Sequence, residues 1–239
     1  MTRRRWIADE FTDHNAALLG QNAAHLARVL RAREGQEYDI VCGEVVRVGT
    51  VASVSDERVE FLLGEMIEGG GEREIVLVAA IYKFDRLEWA IEKCTELGVT
   101  RIIPVIARRT DAHLAVAAAK RVERWRRIAH EAAQQSRRVR VPRIDDAVKL
   151  KAALVVEAPT RLLLNENERS ERLRDALVGT DFNAASPIAF AVGPEGGWTD
   201  EELSQFSEAG WKSVTLGATI LRAETAAIAS LAAVAAILD

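Results

Sequence analysis

The feature that most constrains the fold is a regular alternation of apolar strands and helices from residue 75 onward. Apolar runs of strand length lie at residues 75–80, 101–106, 161–164, 188–192 and 213–216. Segments of helical pattern lie among them, at residues 85–97, 118–136, 170–178, 199–209 and 222–238. Continuously apolar strands are typical of a sheet that is buried on both faces. The pattern therefore predicts an α/β domain with a parallel sheet covered by helices.

The preceding part of the sequence has a different pattern. Three shorter strand-like runs, at 38–42, 45–54 and 58–65, space their apolar residues with polar ones, and a single helical segment precedes them at 22–31. The sequence Gly-Gly-Gly-Glu at 69–72 separates the two parts, and consecutive glycines suit a linker because they leave the backbone the greatest freedom. We predict two domains, a compact β-barrel at 1–70 and the α/β domain at 73–239.

Charge is unevenly distributed along the chain, although the formal net charge is only −4. Nine basic and two acidic residues lie between positions 120 and 143, so this basic segment carries about +7 and the remainder about −11. A basic segment on an acidic protein can bind phosphates, which favours a nucleic-acid partner. The alternative is a solvated, arginine-rich helix face.

The sequence gives no indication of a membrane span or of a metal site. The fourteen uncharged residues of 225–238 are fewer than the roughly 18 that span a bilayer, and they predict a buried helix instead. The positively charged N-terminus has no apolar stretch of a signal peptide behind it. Cys42 and Cys94 lie far apart and have no metal-ligand spacing. We expect a cytoplasmic, reduced protein without a metal.

The first local motif joins the strand at 188–192 to the next helix. It contains the sequence GPEGG at 193–197, followed by Thr199 and Glu202, which predict a capping box at the start of the helix. Paired glycines allow a ligand to approach the backbone closely. The spacing matches neither a nucleotide P-loop nor a dinucleotide fingerprint. The motif predicts a ligand-binding loop, with a simple tight turn as the alternative.

The second motif, TLGATILRAETA, occupies residues 215–226 and leads from the last strand into the last helix. The helix dipole alone explains Glu224 in the first helical turn. It does not explain Arg222, because a cation is unfavourable at a helix N-terminus, so Arg222 suggests an anionic partner. Ligands bind beyond the carboxyl ends of parallel strands, so we predict one pocket between the two glycine-containing loops.

These motifs, with EKCTELG at 92–98, EAAQQSRR at 131–138 and HLARVLR at 25–31, resemble one family closely. The chain is similar to the small-subunit ribosomal RNA uridine N3-methyltransferases, the RsmE family of the SPOUT superfamily, over nearly its whole length. Two positions depart from the family pattern. Members usually carry an acid where Gln134 stands and a glycine where Arg137 stands. The second departure raises the question of whether the backbone at Arg137 keeps its usual conformation.

The resemblance implies a C-terminal SPOUT α/β domain with a deep trefoil knot and a parallel sheet, plus an N-terminal PUA-like, RNA-binding β-barrel. The residue pattern alone predicts an ordinary unknotted sheet. The resemblance also implies a homodimer with the final helix at the interface, and S-adenosylmethionine as methyl donor, with S-adenosylhomocysteine as product and no metal. The candidate donor-binding residues are Leu164, Asn165, Glu166, Gly193, Pro194, Glu195, Gly196, Gly197, Leu216, Gly217, Leu221, Arg222, Thr225 and Ala226.

The implied reaction is methylation of uridine N3 in 16S ribosomal RNA, within the assembled small subunit. Our hypothesis is that Arg222 stabilises negative charge on the uracil or binds a nearby phosphate, and that Glu224 orients it. The candidate RNA-binding residues are Arg5, Arg28, Arg31, Arg124, Arg137 and Arg138. Carbon methylation of a pyrimidine would require a thiol nucleophile, whereas the patterns around Cys42 and Cys94 indicate packed side chains.

Two other functions compete with this one. A SPOUT enzyme with another target, such as a ribose 2′-hydroxyl or a tRNA base, is disfavoured by the HLARVLR helix ahead of a barrel. A non-catalytic RNA-binding protein is disfavoured because both loop motifs are intact.

Overall fold

The computed structural model describes residues 3–69, 73–178 and 186–238, which divide into two units. The first unit contains the described residues up to 69 together with Gln134–Arg140, and the second contains the others. The predicted glycine linker at 69–72 lies outside the described residues except for Gly69. Gln134–Arg140 was expected in the α/β domain from its position in the sequence, and the structure groups it with the first unit.

The first unit is built on a sheet that is antiparallel except for one pair of strands. Its spatial order is β1-β4-β5-β6-β3-β2, and only β1 and β4 run parallel. The helix α1 and a π-helical turn follow β3, and their Ala23 and Leu26 enter a core with Ile40 and Phe61. The strands are β1 (Arg5–Ile7), β2 (Glu10–Phe11), β3 (Asn15–Leu19), β4 (Glu37–Cys42), β5 (Val45–Val54) and β6 (Arg58–Gly69), with α1 at Gly20–Ala24 and the π-helical turn at His25–Val29.

Specific contacts explain why Gln134–Arg140 belongs to this unit. Arg5 donates a hydrogen bond from Nη1 to the carbonyl oxygen of Arg137, at 2.6 Å. Val139 is buried in a small apolar cluster with Val41 and Val46. These contacts combine an apolar anchor with a hydrogen bond from a charged donor, and both stabilise the segment on the strands of the first unit.

The second unit contains the predicted parallel sheet. The spatial order is β10-β8-β7-β12-β11-β13, with β9 also paired to β8, and every pair is parallel. The strands are β7 (Ile75–Ala80), β8 (Arg101–Ile106), β9 (Arg143–Ile144), β10 (Val148–Lys149), β11 (Thr160–Leu164), β12 (Ile188–Val192) and β13 (Lys212–Val214). The helices are α2 (Phe84–Glu96), α3 (Ala112–Gln135), α4 (Leu150–Ala153), α5 (Leu173–Val178), α6 (Asp200–Glu208) and α7 (Ala223–Leu238).

Both faces of this sheet are buried, as the unbroken apolar strands predict. Along β7, alternate residues enter two separate cores, Leu77 with one and Val78 with the other. The first core includes the fully buried Trp125 of α3. The second contains Phe206, whose ring packs edge-on against Trp198 and Trp211, with centroids 4.8 and 5.3 Å away. Helices on both sides leave only the ends of the strands open to ligands.

The order of the last three strands brings their following loops together. β12 pairs with one side of β11, and the chain then returns through α6 to pair β13 with the other side of β11. Because the three strands are parallel neighbours, their carboxyl ends share one edge of the sheet. From there α7 begins, and it packs Leu231 and Val234 into the first core. Among the described residues, no helix combines the length and the hydrophobicity that crossing a bilayer requires.

Candidate active site

The loops after β11, β12 and β13 enclose a cavity of about 320 Å³. Such a volume lies at the lower end of the range for small-molecule sites. Twelve of the fourteen predicted donor-binding residues line it, and two, Gly196 and Thr225, do not. The twelve are Leu164, Asn165, Glu166, Gly193, Pro194, Glu195, Gly197, Leu216, Gly217, Leu221, Arg222 and Ala226.

Sequence reasoning missed several lining residues. Thr219 and Ile220 lie inside the second motif, Trp198 directly follows the first, and Arg169 follows the predicted loop residues 164–166 by three positions. Arg86 is different because it comes from the first turn of α2, far from both motifs in the sequence. Its only signal was a cation near a helix N-terminus, the same anomaly that singled out Arg222.

The GPEGG loop is fixed by side chains from the end of β8. Arg109 donates from Nη1 to the carbonyl oxygens of Gly196 and of Trp198, the latter at 3.4 Å. The predicted capping box is confirmed: Glu202 accepts a hydrogen bond from the Thr199 amide at 2.9 Å, and the Thr199 hydroxyl accepts one from the Glu202 amide. The C-terminal side of the loop is therefore held by Arg109 and by the capping box.

The second glycine of the pair is required by the geometry of the loop. Gly197 has a φ of +70°, a conformation that residues with a side chain adopt only with strain. A β-carbon placed there would lie 2.9 Å from Oε1 of Glu166. The backbone of one loop and an acidic side chain of another therefore meet in the cavity wall. This is a ligand-sized site bounded by closely packed loops, which a simple tight turn would not provide.

The loops after β11 and β13 are joined to each other by Asn165. Its backbone amide donates to the carbonyl oxygen of Val214, and its Nδ2 donates to Oγ of Ser213, both at 3.0 Å. Its Oδ1 accepts a hydrogen bond from the amide of Asn167. These three contacts fix the floor of the cavity, so Asn165 contributes as much to the shape of the site as to its chemistry.

The cavity carries charges of both signs. Glu166 and Glu195 are exposed acids in its wall. Arg169 and Arg222 are exposed cations, and neither has a side-chain partner among the described residues. A mixed set of this kind fits a zwitterionic or cationic small molecule beside a polyanion.

Glu224 has a different partner from the one expected. The residue is only 4% exposed, and its Oε1 lies 3.8 Å from Nη1 of Arg86. No ion pair joins it to Arg222 among the described residues. The hypothesis that Glu224 orients Arg222 therefore finds no contact to support it, and the residue that Glu224 faces is Arg86.

The arginines of α3 are engaged with acids. Arg121 and Arg124 both contact Oε1 of Glu88, at 3.4 and 2.9 Å. Arg126 pairs with Glu123 and with Asp146. This part of the basic segment resembles a solvated, arginine-rich helix face with ion pairs more than an open phosphate-binding surface.

The candidate RNA-binding arginines of the first unit fall into two groups. Arg28 pairs with Asp56 at 2.6 Å, and Arg5 is bonded to a backbone carbonyl oxygen. Arg138 is only 7% exposed and already has an interaction partner, and its role in RNA binding stays a prediction. The exposed Arg31 and Arg137 have no side-chain partner among the described residues.

Arg137 answers the question that the family pattern raised. Its φ is +60°, so an arginine occupies the left-handed conformation that the usual glycine adopts at no cost. Arg31 has a φ of +52°. For residues with a β-carbon this conformation costs roughly 1–2 kcal/mol. Arg137 therefore adopts a conformation that glycine would adopt more readily.

Both cysteines are packed, as their sequence patterns indicated. Burial raises the pKa of the Cys94 thiol to about 12, and its side chain is fully inaccessible. Burial also raises the pKa of Cys42. Neither forms a thiolate nucleophile near neutral pH. Within the described residues, no cluster of histidine, cysteine, aspartate and glutamate has metal-binding geometry.

Comparison with known proteins gives a consistent result. Residues 71–235 match the model of the RNA methyltransferase domain family. Ribosomal RNA small subunit methyltransferase E of Bacillus subtilis is 31% identical over 91% of this chain and 88% of its own length, and the Mycobacterium bovis protein of the same name is 31% identical over 98% and 92%. Ribosomal RNA small subunit methyltransferase E from Neisseria gonorrhoeae, solved bound to S-adenosylmethionine, superimposes with a TM-score of 0.82 at 32% identity, covering 97% of this chain and 96% of its own.

Proposed function

This chain belongs to the RNA methyltransferase family that includes ribosomal RNA small subunit methyltransferase E, and on that basis we propose that it methylates N3 of a uridine in 16S ribosomal RNA. The coarser activity follows from family membership: the chain is an S-adenosylmethionine-dependent methyltransferase of small-subunit ribosomal RNA. The base, the N3 atom and the position, uridine 1498, are the proposed part.

The observation that carries the proposal is the cavity enclosed by the three loops after β11, β12 and β13. It combines both family motifs in one enclosed site, with closely approaching backbones and unpaired cations at its edge. A ligand-sized cavity of this kind favours an enzyme with a small-molecule donor over a protein that only binds RNA.

The residues around the cavity fit S-adenosylmethionine. When bound, this donor supplies a methyl group on a positively charged sulfur. Glu166 and Glu195 provide negative charge in the cavity wall for a ligand with a sulfonium and an ammonium group. The absence of a side chain at Gly197 allows the Glu166 carboxylate to lie close to the loop backbone in the cavity wall. The methyl donor is therefore bound mainly by loop backbone, with acidic side chains close by.

Arg222 is the proposed residue for the acceptor. Uracil N3 carries a proton that must be lost before the nitrogen can accept a methyl group, so the site has to stabilise the uracil anion or the phosphate beside it. Arg222 is exposed at the cavity and unpaired among the described residues, so its guanidinium is available for either contact. Holding the acceptor in line with the methyl group is the other main contribution.

The proposed RNA contacts differ from those expected from charge alone. Arg31 and Arg137 of the first unit and Arg169 of the second are exposed and unpaired among the described residues. Arg5, Arg28 and Arg124 would have to exchange an existing contact for a phosphate. Phosphate contacts give affinity and register but little sequence specificity. We therefore propose the assembled small subunit, whose shape can position the target, as substrate.

The remaining proposals concern the architecture. We propose that the first unit is a PUA-like RNA-binding barrel and that the second is a SPOUT domain whose three loops form a deep trefoil knot. We propose further that the enzyme is a homodimer in the cytoplasm, with α7 at the interface. The outer side of α7 carries Thr225, Ala232 and Ala236, small residues that allow close helix packing.

The decisive experiment is incubation of the purified protein with labelled S-adenosylmethionine and small ribosomal subunits that lack this modification, followed by nucleoside mass spectrometry. We expect 3-methyluridine in 16S ribosomal RNA, and a weaker signal with naked RNA. Label in another nucleoside would keep the methyltransferase and reject the uridine N3 assignment. Absence of any label, together with absence of donor binding, would reject the function.

A further inference from the structure

Glu224 is a buried carboxylate that the structure only partly satisfies. It lies in the first turn of α7 and is 4% exposed. Its Oε2 is inaccessible to solvent and has no hydrogen-bond partner among the described residues. Its Oε1 faces the Arg86 guanidinium at 3.8 Å, beyond hydrogen-bond distance. A buried charge with so few contacts is unfavourable for stability, so its presence calls for a functional explanation.

Arg86, the cation that faces Glu224, also has few polar contacts. Its side chain is 31% exposed and lines the cavity, and its guanidinium makes no hydrogen bond to the described residues. It lies in the first turn of α2, where the helix dipole disfavours a cation. The negative charge of Glu224 behind it offsets that effect. The guanidinium of Arg86 has five N–H donors. Its buried counter-charge is Glu224, and the cavity lies on its exposed side.

Other polar groups surround this pair. The Tyr82 hydroxyl is buried and has no hydrogen-bond partner among the described residues. Burial raises its pKa well above the usual value, the charges of Cys94, Glu224 and Glu195 raise it further, and Arg86 lowers it. Tyr82 is therefore a neutral neighbour of the pair, and Glu195 is an exposed acid in the same cavity wall. Arg86 lines this cavity from α2.

We propose that Arg86 is a second anion-binding residue of this cavity, beside Arg222, and that Glu224 is its positioning residue. This inference rests on the proposed function and adds a residue to it. The bound group is an anionic oxygen, either the carboxylate of the methyl donor or the oxygen that bears the charge of deprotonated uracil. Both present an oxygen anion that a guanidinium binds with short, charge-assisted hydrogen bonds. In this arrangement Glu224 holds Arg86 in place without contacting substrate.

The test compares four variants of the full-length protein: Arg86→Ala, Arg86→Lys, Glu224→Gln and, as a matched control, Lys93→Ala. Lys93 also lies on α2, but it pairs with Glu92 and Glu96 and does not line the cavity. Circular dichroism and thermal unfolding first establish that each variant is folded. The measurements are the donor Kd by calorimetry, with S-adenosylmethionine and with decarboxylated S-adenosylmethionine, and the pH dependence of kcat on small subunits.

Loss of a charge-assisted contact lowers binding or rate by about 10- to 100-fold, and this is the effect expected for Arg86→Ala. If the donor carboxylate is the partner, Arg86→Ala weakens S-adenosylmethionine binding by that factor and leaves binding of the decarboxylated donor unchanged. If the uracil oxygen is the partner, both donor affinities remain unchanged, kcat falls, and the midpoint of its pH profile moves to higher pH. Arg86→Lys should recover part of either loss, and Glu224→Gln should reproduce part of it.

The inference is overturned if Arg86→Ala keeps the donor affinity, the kcat and the pH profile of the wild type. It is also overturned if Lys93→Ala shows the same losses, because the effect would then arise from disturbance of α2. Failure of the proposed function is a separate result. If the wild-type enzyme labels a nucleoside other than 3-methyluridine, the uridine assignment is rejected. The donor-binding measurements on the Arg86 variants still decide whether Arg86 binds the donor carboxylate.

Discussion

The arginines of α3 and the arginines around the cavity differ in what faces them. On α3, Arg121 and Arg124 share a single carboxylate, that of Glu88. At the cavity, Arg169 and Arg222 have no ion-pair partner among the described residues. A paired cation has to give up its carboxylate before it can bind a phosphate, whereas an unpaired one does not. We therefore expect the supply of nearby acids to be a better guide to where RNA binds than the number of basic residues in a segment.

The largest difference between the α3 arginines and the cavity arginines should appear in kcat when they are replaced by alanine. We expect Arg222→Ala to lower kcat by about 100-fold, equivalent to roughly 2.7 kcal/mol of transition-state stabilisation, because the guanidinium acts on charge that develops in the reaction. Arg124→Ala, the matched change on α3, should change kcat by less than about threefold, since it removes an exposed ion pair. Single-turnover rates on small subunits measure both.

Donor affinity is the control for this pair of variants. Calorimetric Kd values for S-adenosylmethionine should stay within about twofold of wild type in each, because the backbone of the proposed donor-binding loops is unchanged. Equal losses of kcat for Arg222→Ala and Arg124→Ala would remove the distinction between paired and unpaired arginines.

The next effect concerns the loop backbone. Gly197→Ala places a β-carbon at φ +70° and 2.9 Å from Glu166, so we expect about a tenfold weaker donor affinity. Gly210→Ala is the matched control, because Gly210 has a φ of +78° but follows α6, away from the cavity. Both variants should lose roughly 1 kcal/mol of stability in urea unfolding, and only Gly197→Ala should bind the donor less well. Weaker donor binding in the control would show that general strain is responsible.

A smaller effect is expected when the α3 arginines lose their carboxylate partner. This change tests directly whether paired and unpaired arginines differ in RNA binding. Glu88→Gln removes the negative charge that faces Arg121 and Arg124, and because the Glu88 side chain is only 12% exposed, urea unfolding first establishes that the variant is folded. Affinity for an unmodified RNA fragment should then increase, and its dependence on salt should steepen by about one phosphate contact. Binding titrations at several salt concentrations measure this. An unchanged slope would mean that the α3 arginines are unavailable to RNA for a reason other than pairing.

The sequence predicted the second unit better than the first because the second has strong, redundant patterns. The predicted strands at 75–80, 101–106 and 188–192 match β7, β8 and β12 residue for residue. In the first unit β4, β5 and β6 were predicted, and β1, β2 and β3 were missed. These three strands have two to five residues each, too few for an apolar alternation to stand out. The association of Gln134–Arg140 with the first unit depends on long-range contacts that no local pattern encodes.

The candidate site shows the same limit. The loops were predictable because glycines and a capping box mark them in the sequence. The Arg86–Glu224 contact was not, because the two residues are separated by more than half of the chain and meet only through the packing of α2 against α7. In the same way, the sequence placed Arg137 and Arg138 together, yet one is exposed and the other buried. Which of two adjacent arginines faces solvent is decided by backbone direction, and at Arg137 that direction is unusual.

The smallest predicted effect separates charge from backbone at Arg137, the exposed cation that stands where the family has glycine. Arg137→Gly should raise the urea midpoint of unfolding by an amount equivalent to about 0.5 kcal/mol, because relief of the left-handed strain exceeds the added freedom of glycine in the unfolded chain. Arg137→Ala keeps the β-carbon and should leave stability unchanged. Both variants lose the same charge, so both should weaken RNA binding by a similar factor of about two to three. A loss of RNA affinity in the glycine variant alone would mean that the fixed backbone, rather than the guanidinium, is what this arginine contributes.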